Sequence, residues 1–415
     1  MNLKKLAVGI TTFTAAALML TGCGNSSSNK KSDSSNTISF WYGGDGDSAI
    51  KPIIKDFTKE TGIKVKVQSI PWTQYNDKLL TAAASKSGPD LIDMGTTSVP
   101  NFVSSNSLMD ITDTVKKDSS LAPDKYFPGS VETTKVDGKY YGVPWYTETR
   151  VLYYRKDLLK KVGYNEAPKT WDEMYDAAIK LSKRGKGMYG MNIDANEQTF
   201  GFMFARQNGA QLLTKNNKTD FNKKPTVDAV KYLQKFVKNG ATPKNDLKLS
   251  IGESFGGKGV LPMMITGPWE IKAIREDSGL KDDQWGVAEL PKGKVSNTSA
   301  TGGGDLAVFK YTKHKKESIK LLKYLSKREN QLKYYKNSDS LPARKDAWNA
   351  KELQTPKIQT IRDQLNHSKP MPLIKQWDQI GQDYNKAWEK VSVENADVQK
   401  TMDDLNKQAN DSIKK

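Results

Sequence analysis

Apolar positions after residue 36 follow two alternating periods, and this alternation predicts strands and helices in turn. Residues 37–42 are rich in β-forming side chains and are followed by glycines, which predicts a strand and a loop. Apolar residues in 50–57 recur at i, i+3, i+4 and i+7, the spacing of one helix face. Residues 63–67 alternate again, 72–83 return to helical spacing, and 90–94 form a third strand-like run. This order predicts a parallel sheet with right-handed crossovers.

The same alternation returns in the second half of the chain. Residues 170–173 read Thr-Trp-Asp-Glu, a capping box that predicts the start of a helix. Apolar stripes over 229–237 and 398–413 predict two further helices. We therefore expect two α/β lobes. Ligands of open sheets bind beyond the carboxyl ends of the strands, so the loops at 43–47 and after Met94 are candidate ligand contacts.

The first residues of the chain have a different pattern. A basic start, an apolar run over 6–20 and Leu-Thr-Gly-Cys at 20–23 have the shape of a secretory signal. Leu-Thr-Gly-Cys resembles a lipobox, which implies a signal peptide over 1–22 and a lipid on Cys23 at the outer face of the cell membrane. An ordinary signal peptide is the alternative; a transmembrane helix is disfavoured because the run is shorter than ~20 residues. The polar residues 23–36 predict a flexible tether.

Composition narrows the classes of function. Cys23 is the only cysteine of the 415 residues, so the fold should contain neither an intrachain disulfide nor a cysteine-ligated metal. The formal net charge is +18, but the lysines are scattered and form no compact basic block with interleaved aromatics. Nucleic-acid binding is therefore disfavoured. Anionic headgroups and wall polymers are the expected polyanions near this surface.

Catalytic motifs are missing from the sequence. The two histidines, His314 and His367, lie far apart in polar surroundings, and no nucleophile elbow, zinc-protease motif or EF-hand loop occurs. The glycines at 302–304 lack the Lys-Ser/Thr of a phosphate loop. We expect no catalytic residue, metal or cofactor. The 47 acidic residues are numerous enough to include the two catalytic carboxylates of a glycoside hydrolase. A surface glycoside hydrolase is therefore the enzymatic alternative.

Several tryptophans stand in surroundings typical of a binding site. Trp41, Trp145, Trp269 and Trp377 lie beside glycine, proline or polar residues. An indole face can stack on the C–H face of a sugar ring, while neighbouring acids and amides accept hydrogen bonds from hydroxyls. Each tryptophan can also belong to the core, and for a single one both interpretations stay open. Together they favour a carbohydrate-binding cleft.

Longer segments carry a family resemblance. They are Phe-Thr-Lys-Glu-Thr-Gly-Ile-Lys-Val at 57–65, Gly-Pro-Asp-Leu-Ile at 88–92, Gly-Val-Pro-Trp-Tyr-Thr-Glu-Thr-Arg-Val-Leu-Tyr-Tyr-Arg-Lys-Asp-Leu-Leu at 142–159, Ala-Pro-Lys-Thr-Trp-Asp-Glu-Met at 167–174, Gly-Pro-Trp at 267–269 and Gly-Gly-Gly-Asp-Leu-Ala-Val-Phe at 302–309. In this order the chain resembles the extracellular solute-binding proteins, family 1, which include maltose-binding protein and other carbohydrate receptors of ABC importers.

The resemblance implies an α/β fold of two lobes, each a mostly parallel sheet flanked by helices, with the ligand cleft between them. The expected boundaries are 37–143 plus 288–315 for the first lobe, 147–284 plus 316–415 for the second, and hinge crossings near 143–146, 285–289 and 309–316. It also implies a monomeric lipoprotein that captures a carbohydrate by lobe closure and delivers it to a membrane permease. An oligosaccharide is the expected carbohydrate. A receptor for a peptide or a chelated metal is the alternative.

Residue patterns and the resemblance together predict the sugar contacts. They are Trp41, Asp45, Met94, Thr96, Thr97, Trp145, Glu148, Arg150, Trp269, Gly303, Asp305 and Trp377. In the resemblance Asp45 and Glu148 accept hydroxyl hydrogen bonds, while Trp269 and Trp377 stack on sugar rings. The chain departs from many relatives in lacking an aromatic residue near Met94 or Ser98, which removes one sugar platform. Asp305 stands where relatives often carry Asn, so that a donor and acceptor becomes an acceptor only.

Overall fold

A computed structural model describes residues 36–44, 46–193 and 197–414. Asp45, the predicted signal peptide and Cys23 lie outside these described residues, as does all but the last residue of the predicted tether. Within the described ranges, no helix combines the length and the apolar character needed to cross a membrane.

Strands and helices alternate along most of the chain. The strands are Thr37–Gly43 (β1), Lys64–Ile70 (β2), Leu91–Gly95 (β3), Lys135–Val136 (β4), Lys139–Tyr140 (β5), Gly142–Thr149 (β6), Val151–Arg155 (β7), Met263–Thr266 (β8), Trp285–Ala288 (β9), Ser299–Val308 (β10), Leu341–Pro342 (β11) and Ser368–Pro370 (β12). The α-helices are Lys51–Thr61 (α1), Trp72–Ser85 (α2), Val99–Ser104 (α3), Thr112–Lys117 (α4), Pro128–Thr133 (α5), Lys156–Lys161 (α6), Trp171–Ser182 (α7), Thr199–Gln207 (α8), Lys224–Lys238 (α9), Ile251–Ser254 (α10), Glu270–Asp277 (α11), Lys315–Leu325 (α12), Arg328–Ser338 (α13), Pro356–Asn366 (α14), Trp377–Ser392 (α15) and Val398–Ile413 (α16).

The first lobe is organised around a seven-stranded mixed sheet. Its order is β11-β6-β10-β3-β1-β2, and β12 also pairs with β10. β1 runs parallel to β2 and β3, which confirms the parallel arrangement predicted for the first three strands. β10 lies between β3 and β6 and runs antiparallel to both. The sheet thereby brings three distant parts of the sequence together.

Helix α12 belongs to the first lobe, contrary to the predicted boundary at 316. Leu321 and Leu325 of α12 are fully buried in the same apolar cluster as Phe40 of β1 and Phe57 of α1. Helix α13 lies between the lobes, because Tyr334 joins that cluster while Leu332 and Tyr335 join the cluster of Trp285. The apolar face of α12 thus covers the first sheet, and burial of these side chains contributes ~1.5–3 kcal/mol each.

The second lobe has a smaller sheet and more helices. β7 is the central strand of β8-β7-β9 and runs antiparallel to both neighbours, which differs from the mostly parallel sheet that was expected here. Helices α7, α8, α9, α15 and α16 enclose one apolar cluster beside this sheet. The predicted helix start at 170–173 is confirmed, since Thr170 Oγ1 accepts a hydrogen bond from Glu173 N at 3.2 Å. Glu173 Oε2, however, accepts from Lys169 N rather than from Thr170 N.

The chain first crosses between the lobes at Arg150. Thr149, the last residue of β6, pairs with Thr301 in the first sheet, and Val151, the first of β7, pairs with Thr266 in the second. The predicted crossing at 143–146 lies instead inside β6, a buried central strand. One residue therefore separates the two sheets.

Two further predicted crossings are also displaced along the chain. The range 285–289 overlaps β9, which still pairs with β7, so the return to the first lobe occurs between β9 and β10. The range 309–316 stays in the first lobe, where Phe309 is buried beside β3. The third crossing follows β11, because Trp348 is buried with Val151 and Trp285 of the second lobe.

Candidate ligand-binding cleft

A cavity of about 740 Å³ lies where β6 passes into β7, and both lobes contribute to its walls. Its lining comprises Tyr42, Gly43, Gly44, Trp72, Gly95, Thr96, Thr97, Tyr146, Glu148, Arg150, Glu197, Gln198, Thr199, Trp269, Ala300, Thr301, Gly302, Gly303, Tyr334, Ser338, Ser340 and Met371. Small-molecule sites in proteins typically measure ~300–1,000 Å³ and combine apolar walls with a few convergent polar groups. The cavity has the size and the composition of a ligand site.

Glycines of β10 shape the floor of this cleft. Gly303 has a φ of +127°, a conformation that side chains strongly disfavour, and the pairing with β6 shifts register just after it, between Gly304 and Asp305. A Cβ on Gly302 would lie 2.7 Å from Glu148 Oε1. The absence of side chains on β10 therefore leaves room for the Glu148 carboxylate beside the cavity.

Arg150 joins two carboxylates at the crossing between the lobes. Its Nη2 donates to Glu197 Oε2 at 2.7 Å, its Nε donates to the same oxygen at 3.0 Å, and its Nη1 donates to Glu148 Oε1 at 3.2 Å. The side chains are 11%, 20% and 21% exposed for Arg150, Glu197 and Glu148. This charge triad is thus largely withdrawn from water while it remains on the cleft surface.

Burial and the guanidinium compete in setting the pKa values of the triad. Burial raises the pKa of Glu148, and the opposing effect of Arg150 is too weak to reverse this. Burial would also raise the pKa of Glu197, but Arg150 and the hydrogen bonds from Thr199 hold that pKa below its usual value. Although burial disfavours its charge, the two glutamates raise the pKa of Arg150. In the described ranges, no three His, Cys, Asp or Glu side chains are placed to hold a metal ion.

Two exposed indoles face the cavity, one from each lobe. Trp269 is 41% exposed and Trp72 is 46% exposed, among the few large apolar side chains that remain open to solvent. Each rests on a glycine, Trp269 on Gly267 and Trp72 on Gly43, where any side chain would collide with the ring. The Arg150 guanidinium lies 4.9 Å from the Trp269 ring centre and supports it by a cation–π contact. Both indoles thus present an exposed aromatic surface to the cavity.

Trp72 was missed as a site residue because its spacing is helical. It stands at i−3 and i−7 from Tyr75 and Leu79, which are buried, and this pattern predicts core. Helical side chains point toward the helix N-terminus, so the first residue of α2 reaches past the end of the helix and over the sheet edge. Trp72 therefore lines the cleft beside the loop after β3, where many relatives carry an aromatic residue that this chain lacks.

Tyrosines, not Trp145, form the first-lobe wall. Along β6 successive side chains face opposite sides, so Tyr146 and Glu148 line the cleft while Trp145 points into the core. Trp145 is 1% exposed and stacks on Tyr334 with ring centres 4.3 Å apart, which makes its predicted sugar contact wrong. Burial raises the pKa of Tyr146 and Tyr334 well above the usual range. Both phenols thus stay neutral and can donate hydrogen bonds.

The structure also removes Trp377 and Trp41 from the cleft. Trp377 is fully buried in the second-lobe core, where its ring centre lies 4.9 Å from that of Phe202. The predicted stacking role of Trp377 is therefore wrong. Trp41 is half-buried outside the cavity lining, with the Lys78 ammonium 4.9 Å from its ring centre. Strand alternation turns it away from Tyr42, which lines the cleft.

Some of the other predicted sugar contacts line the cavity, and others are buried away from it. Thr96, Thr97 and Gly303 line the cavity as expected. Met94 is fully buried and does not line the main cavity. Asp305 is 1% exposed behind the floor, where it accepts a hydrogen bond from Thr133 Oγ1 at 2.9 Å, and burial raises its pKa to about 8. Asp305 is consequently a buried group behind the floor and not a ligand contact.

Other cleft residues carried no sequence signal. Glu197, Gln198 and Thr199 lie at the start of α8, and Met371 follows β12 between Pro370 and Pro372; none belongs to a recognised binding motif. They reach the cavity only because the second lobe folds them against β6. Only a three-dimensional arrangement could have identified them.

Comparisons with known proteins agree with this geometry. Residues 41–332 match the model of the bacterial extracellular solute-binding proteins. The chain is 27% identical to the galactooligosaccharide-binding protein of Bacillus subtilis, over 96% of this chain and 95% of that relative. Its fold superposes on the sugar-binding protein MalE of Xanthomonas citri with a TM-score of 0.82 and 31% identity, over 91% of this chain and 97% of the other. An ABC transporter solute-binding protein of Thermotoga lettingae, bound to α-D-tagatose, gives 0.82 and 26%, over 91% and 100%. The chain belongs to the bacterial extracellular solute-binding protein family.

Proposed function

We propose that this protein is the substrate-binding component of an ABC importer and that it captures a neutral oligosaccharide between its lobes. The observation that carries the proposal is the pair of exposed indoles, Trp72 and Trp269, which face one cavity from opposite lobes beside the acceptor Glu148. Sugar rings present apolar C–H faces and polar edges, and this pairing of aromatic faces with hydrogen-bonding groups matches both. The names of the B. subtilis and X. citri relatives support the same ligand class.

Charge favours a neutral sugar over an acidic one. Arg150 is the only cationic side chain among the described residues that line the cavity, and two carboxylates already share its guanidinium. A ligand carboxylate or phosphate would therefore meet an excess of negative charge without an available cation. Sugar hydroxyls, by contrast, can donate to Glu148 and accept from the tyrosine phenols, which satisfies groups that would cost ~1–3 kcal/mol each if buried unpaired.

Capture by lobe closure follows from the placement of these groups. Trp72 belongs to the first lobe and Trp269 to the second, so a ligand that touches both indoles favours the closed arrangement by its extra affinity for that state. The closed form is then the state presented to the permease. The protein acts by binding and does not cleave its ligand. A glycoside hydrolase is the second candidate, since the pKa values of Glu148 and Glu197 shift in opposite directions.

Isothermal titration with maltose-type, galactose-type and arabinose-type oligosaccharides tests the proposal. We expect one of these series to bind the wild type. Trp72→Ala should then weaken binding tenfold to a hundredfold, about 1.4–2.8 kcal/mol, because one stacking face is lost. Trp41→Ala is the matched control in the same lobe and should keep wild-type affinity, since its indole lies outside the cavity.

Three results would contradict this account. Wild-type binding only to peptides or metal chelates would replace the sugar by another solute. Sugar products appearing on chromatography after long incubation would favour the hydrolase. Equal loss of affinity in both tryptophan variants would show that the indole of Trp72 has no special part in the cleft.

We also propose that Cys23 carries a lipid that holds the protein at the outer face of the membrane. The support is Leu-Thr-Gly-Cys at the end of an apolar run, with no other cysteine in the chain. Cys23→Ser should move the protein from the membrane fraction to the medium, measured by fractionation and immunoblotting. Retention of the variant in the membrane fraction would contradict the lipid anchor.

A further inference from the structure

The first sheet has one end at the cleft and an opposite end that the cleft does not reach. Tyr42 and Gly43, at the end of β1, line the cavity. Thr37 begins β1 six residues before Gly43, which is about 20 Å back along the strand. β10 runs antiparallel to β3 and its last residue pairs with Leu91, the first residue of β3. The chain after β10 therefore emerges at the same end as the start of β1.

Lysines that are scattered along the sequence meet at this end. They lie in the last turn of α1, directly after α2, and between β10 and the first turn of α12, and all are exposed: Lys59, Lys86, Lys310, Lys313, Lys315 and Lys316. We call the surface that they form the basic end of the first lobe. The residues 59–64, 86–90 and 309–317 contain three acids, Glu60, Asp90 and Glu317. The lysines of these segments outnumber the acids, so the basic end carries a net positive charge.

Much of this positive charge is not neutralised within the protein. Among the described residues, no carboxylate forms an ion pair with Lys313, Lys315 or Lys316. Other exposed lysines do pair within their own helix, as Lys117 does with Asp113 at 3.2 Å. Crowded cations without acidic partners create a positive potential, which attracts an anionic surface.

The described chain begins at the basic end as well. Asn36 Nδ2 donates a hydrogen bond to Gly62 O at 2.7 Å, where Gly62 caps the end of α1 close to Lys59. Residues 24–36, most of the predicted tether, can span at most about 45 Å when fully extended. A lipid on Cys23 would therefore hold the basic end nearer to the headgroups than the cleft.

We propose that the basic end of the first lobe docks on anionic lipid headgroups, and that this contact turns the cleft away from the membrane toward the medium. The inference goes beyond carbohydrate capture and rests on the proposed lipid on Cys23. A lysine near an anionic surface raises the partition coefficient only about fivefold, and salt screens the attraction. Docking alone is therefore weak and reversible. The lipid keeps the local concentration of headgroups high, so that a weak contact is sufficient to orient the body.

Sedimentation with lipid vesicles tests the surface by itself, because the Cys23→Ser protein has no thiol that could carry a lipid. At low salt we expect it to bind vesicles of phosphatidylcholine with phosphatidylglycerol and to stay in solution with phosphatidylcholine alone. Adding Lys313→Gln, Lys315→Gln and Lys316→Gln together should weaken binding to the anionic vesicles about a hundredfold. A Cys23→Ser protein that does not bind the anionic vesicles would overturn the proposal.

The matched control removes the same charge from the second lobe. Lys231, Lys235 and Lys238 share the exposed face of α9. Replacing all three by glutamine should leave vesicle binding close to that of the Cys23→Ser protein. Equal losses in the two triple variants would show that net charge alone governs binding, and the basic end would then have no special part.

Reporter cysteines test the orientation, since Cys23→Ser removes the only thiol of the chain. Ser87→Cys lies at the basic end and Ser48→Cys lies in the loop after β1 at the cleft end, and both positions are exposed. With a fluorophore on each thiol, nitroxide-labelled headgroups should quench the probe at position 87 and leave the probe at position 48 bright. Equal quenching, or stronger quenching at position 48, would overturn the proposed orientation. Sugar titration of the same proteins in solution tests the proposed function separately.

Discussion

Replacing Trp377 by alanine is expected to lower the free energy of unfolding by ~3–5 kcal/mol, the cost of deleting a large aromatic side chain from a core. Trp377 is fully buried and contacts the rings of Phe202 and Phe221 in the second lobe. The cavity left behind cannot collapse easily, because α8 and α15 are both held by other buried residues. A urea denaturation curve measures the loss.

Trp269→Ala is the matched variant with the opposite expected profile. Its indole is 41% exposed, so its removal should cost little stability but should weaken sugar binding tenfold or more. Calorimetric titration of both variants at a temperature where each is folded separates the two roles. Normal stability of Trp377→Ala, or normal sugar affinity of Trp269→Ala, would show that the cleft has been placed on the wrong indole.

Arg150→Leu should destabilise the protein by ~3–5 kcal/mol near neutral pH, because it leaves two largely buried carboxylates facing each other without a cation. Glu148 and Glu197 both accept hydrogen bonds from Arg150 and are only 21% and 20% exposed. Arg275→Leu in α11 is the control. Arg275 and Asp282 form an exposed pair, 45% and 62% exposed, whose loss should cost at most ~1 kcal/mol.

The stability that Arg150→Leu loses should depend on pH, and the pKa shifts give the direction. In the wild type Arg150 holds the pKa of Glu197 below its unfolded value, so the stability from Glu197 is present above that value and is lost as pH falls through the folded pKa. In Arg150→Leu burial acts without the guanidinium, and the folded pKa values of both glutamates rise above the unfolded ones. The difference in unfolding free energy between the wild type and Arg150→Leu should therefore be smaller at pH 5 than at pH 7. A deficit that is constant over this interval would contradict the charge explanation.

Local patterns predicted the regular elements well where one face is buried. The run at 37–42 corresponds to β1, the helical spacing of 50–57 to α1, and the terminal stripe to α16. In each case the spacing of the apolar residues, two for a strand and 3.6 for a helix, determines which side chains face the core. This spacing can be read from the sequence alone. The fold class followed because these elements alternate in the order of an α/β protein.

Lobe boundaries were less accessible, since they depend on which sheet an amphipathic helix covers. The apolar stripe of α12 would suit either lobe, and only its contact with Phe57 and Phe40 assigns it to the first. Similarly, β6 and β7 are separated only by Arg150, and the crossing was predicted a few residues too early, at 143–146. Nothing in their composition indicates that Thr149 and Val151 belong to different sheets.

Tryptophans show how far a binding site can be predicted from local surroundings. Trp269 follows a Gly-Pro pair and does line the cleft. Trp377 has polar neighbours in sequence, but Ile380, Tyr384 and Trp388 recur after it at helical spacing and are buried with it. That stripe was a core signal that the polar neighbours obscured. Trp72 is the reverse case. Its helical spacing is typical of a core residue, but it stands at the N-terminal end of α2, where its side chain faces the cavity.

Arg150 has a mechanical consequence that follows from its position at the crossing. Glu148 is part of the first-lobe sheet and Glu197 stands at the start of a second-lobe helix, so rotation of the lobes would change the distance between the two carboxylates that Arg150 joins. The triad therefore links the two lobes by charge–charge attraction, and its low exposure limits screening of that attraction by salt. The same guanidinium lies on the Trp269 ring. A change of hinge angle that displaces Arg150 is therefore expected to be felt by the Trp269 indole as well.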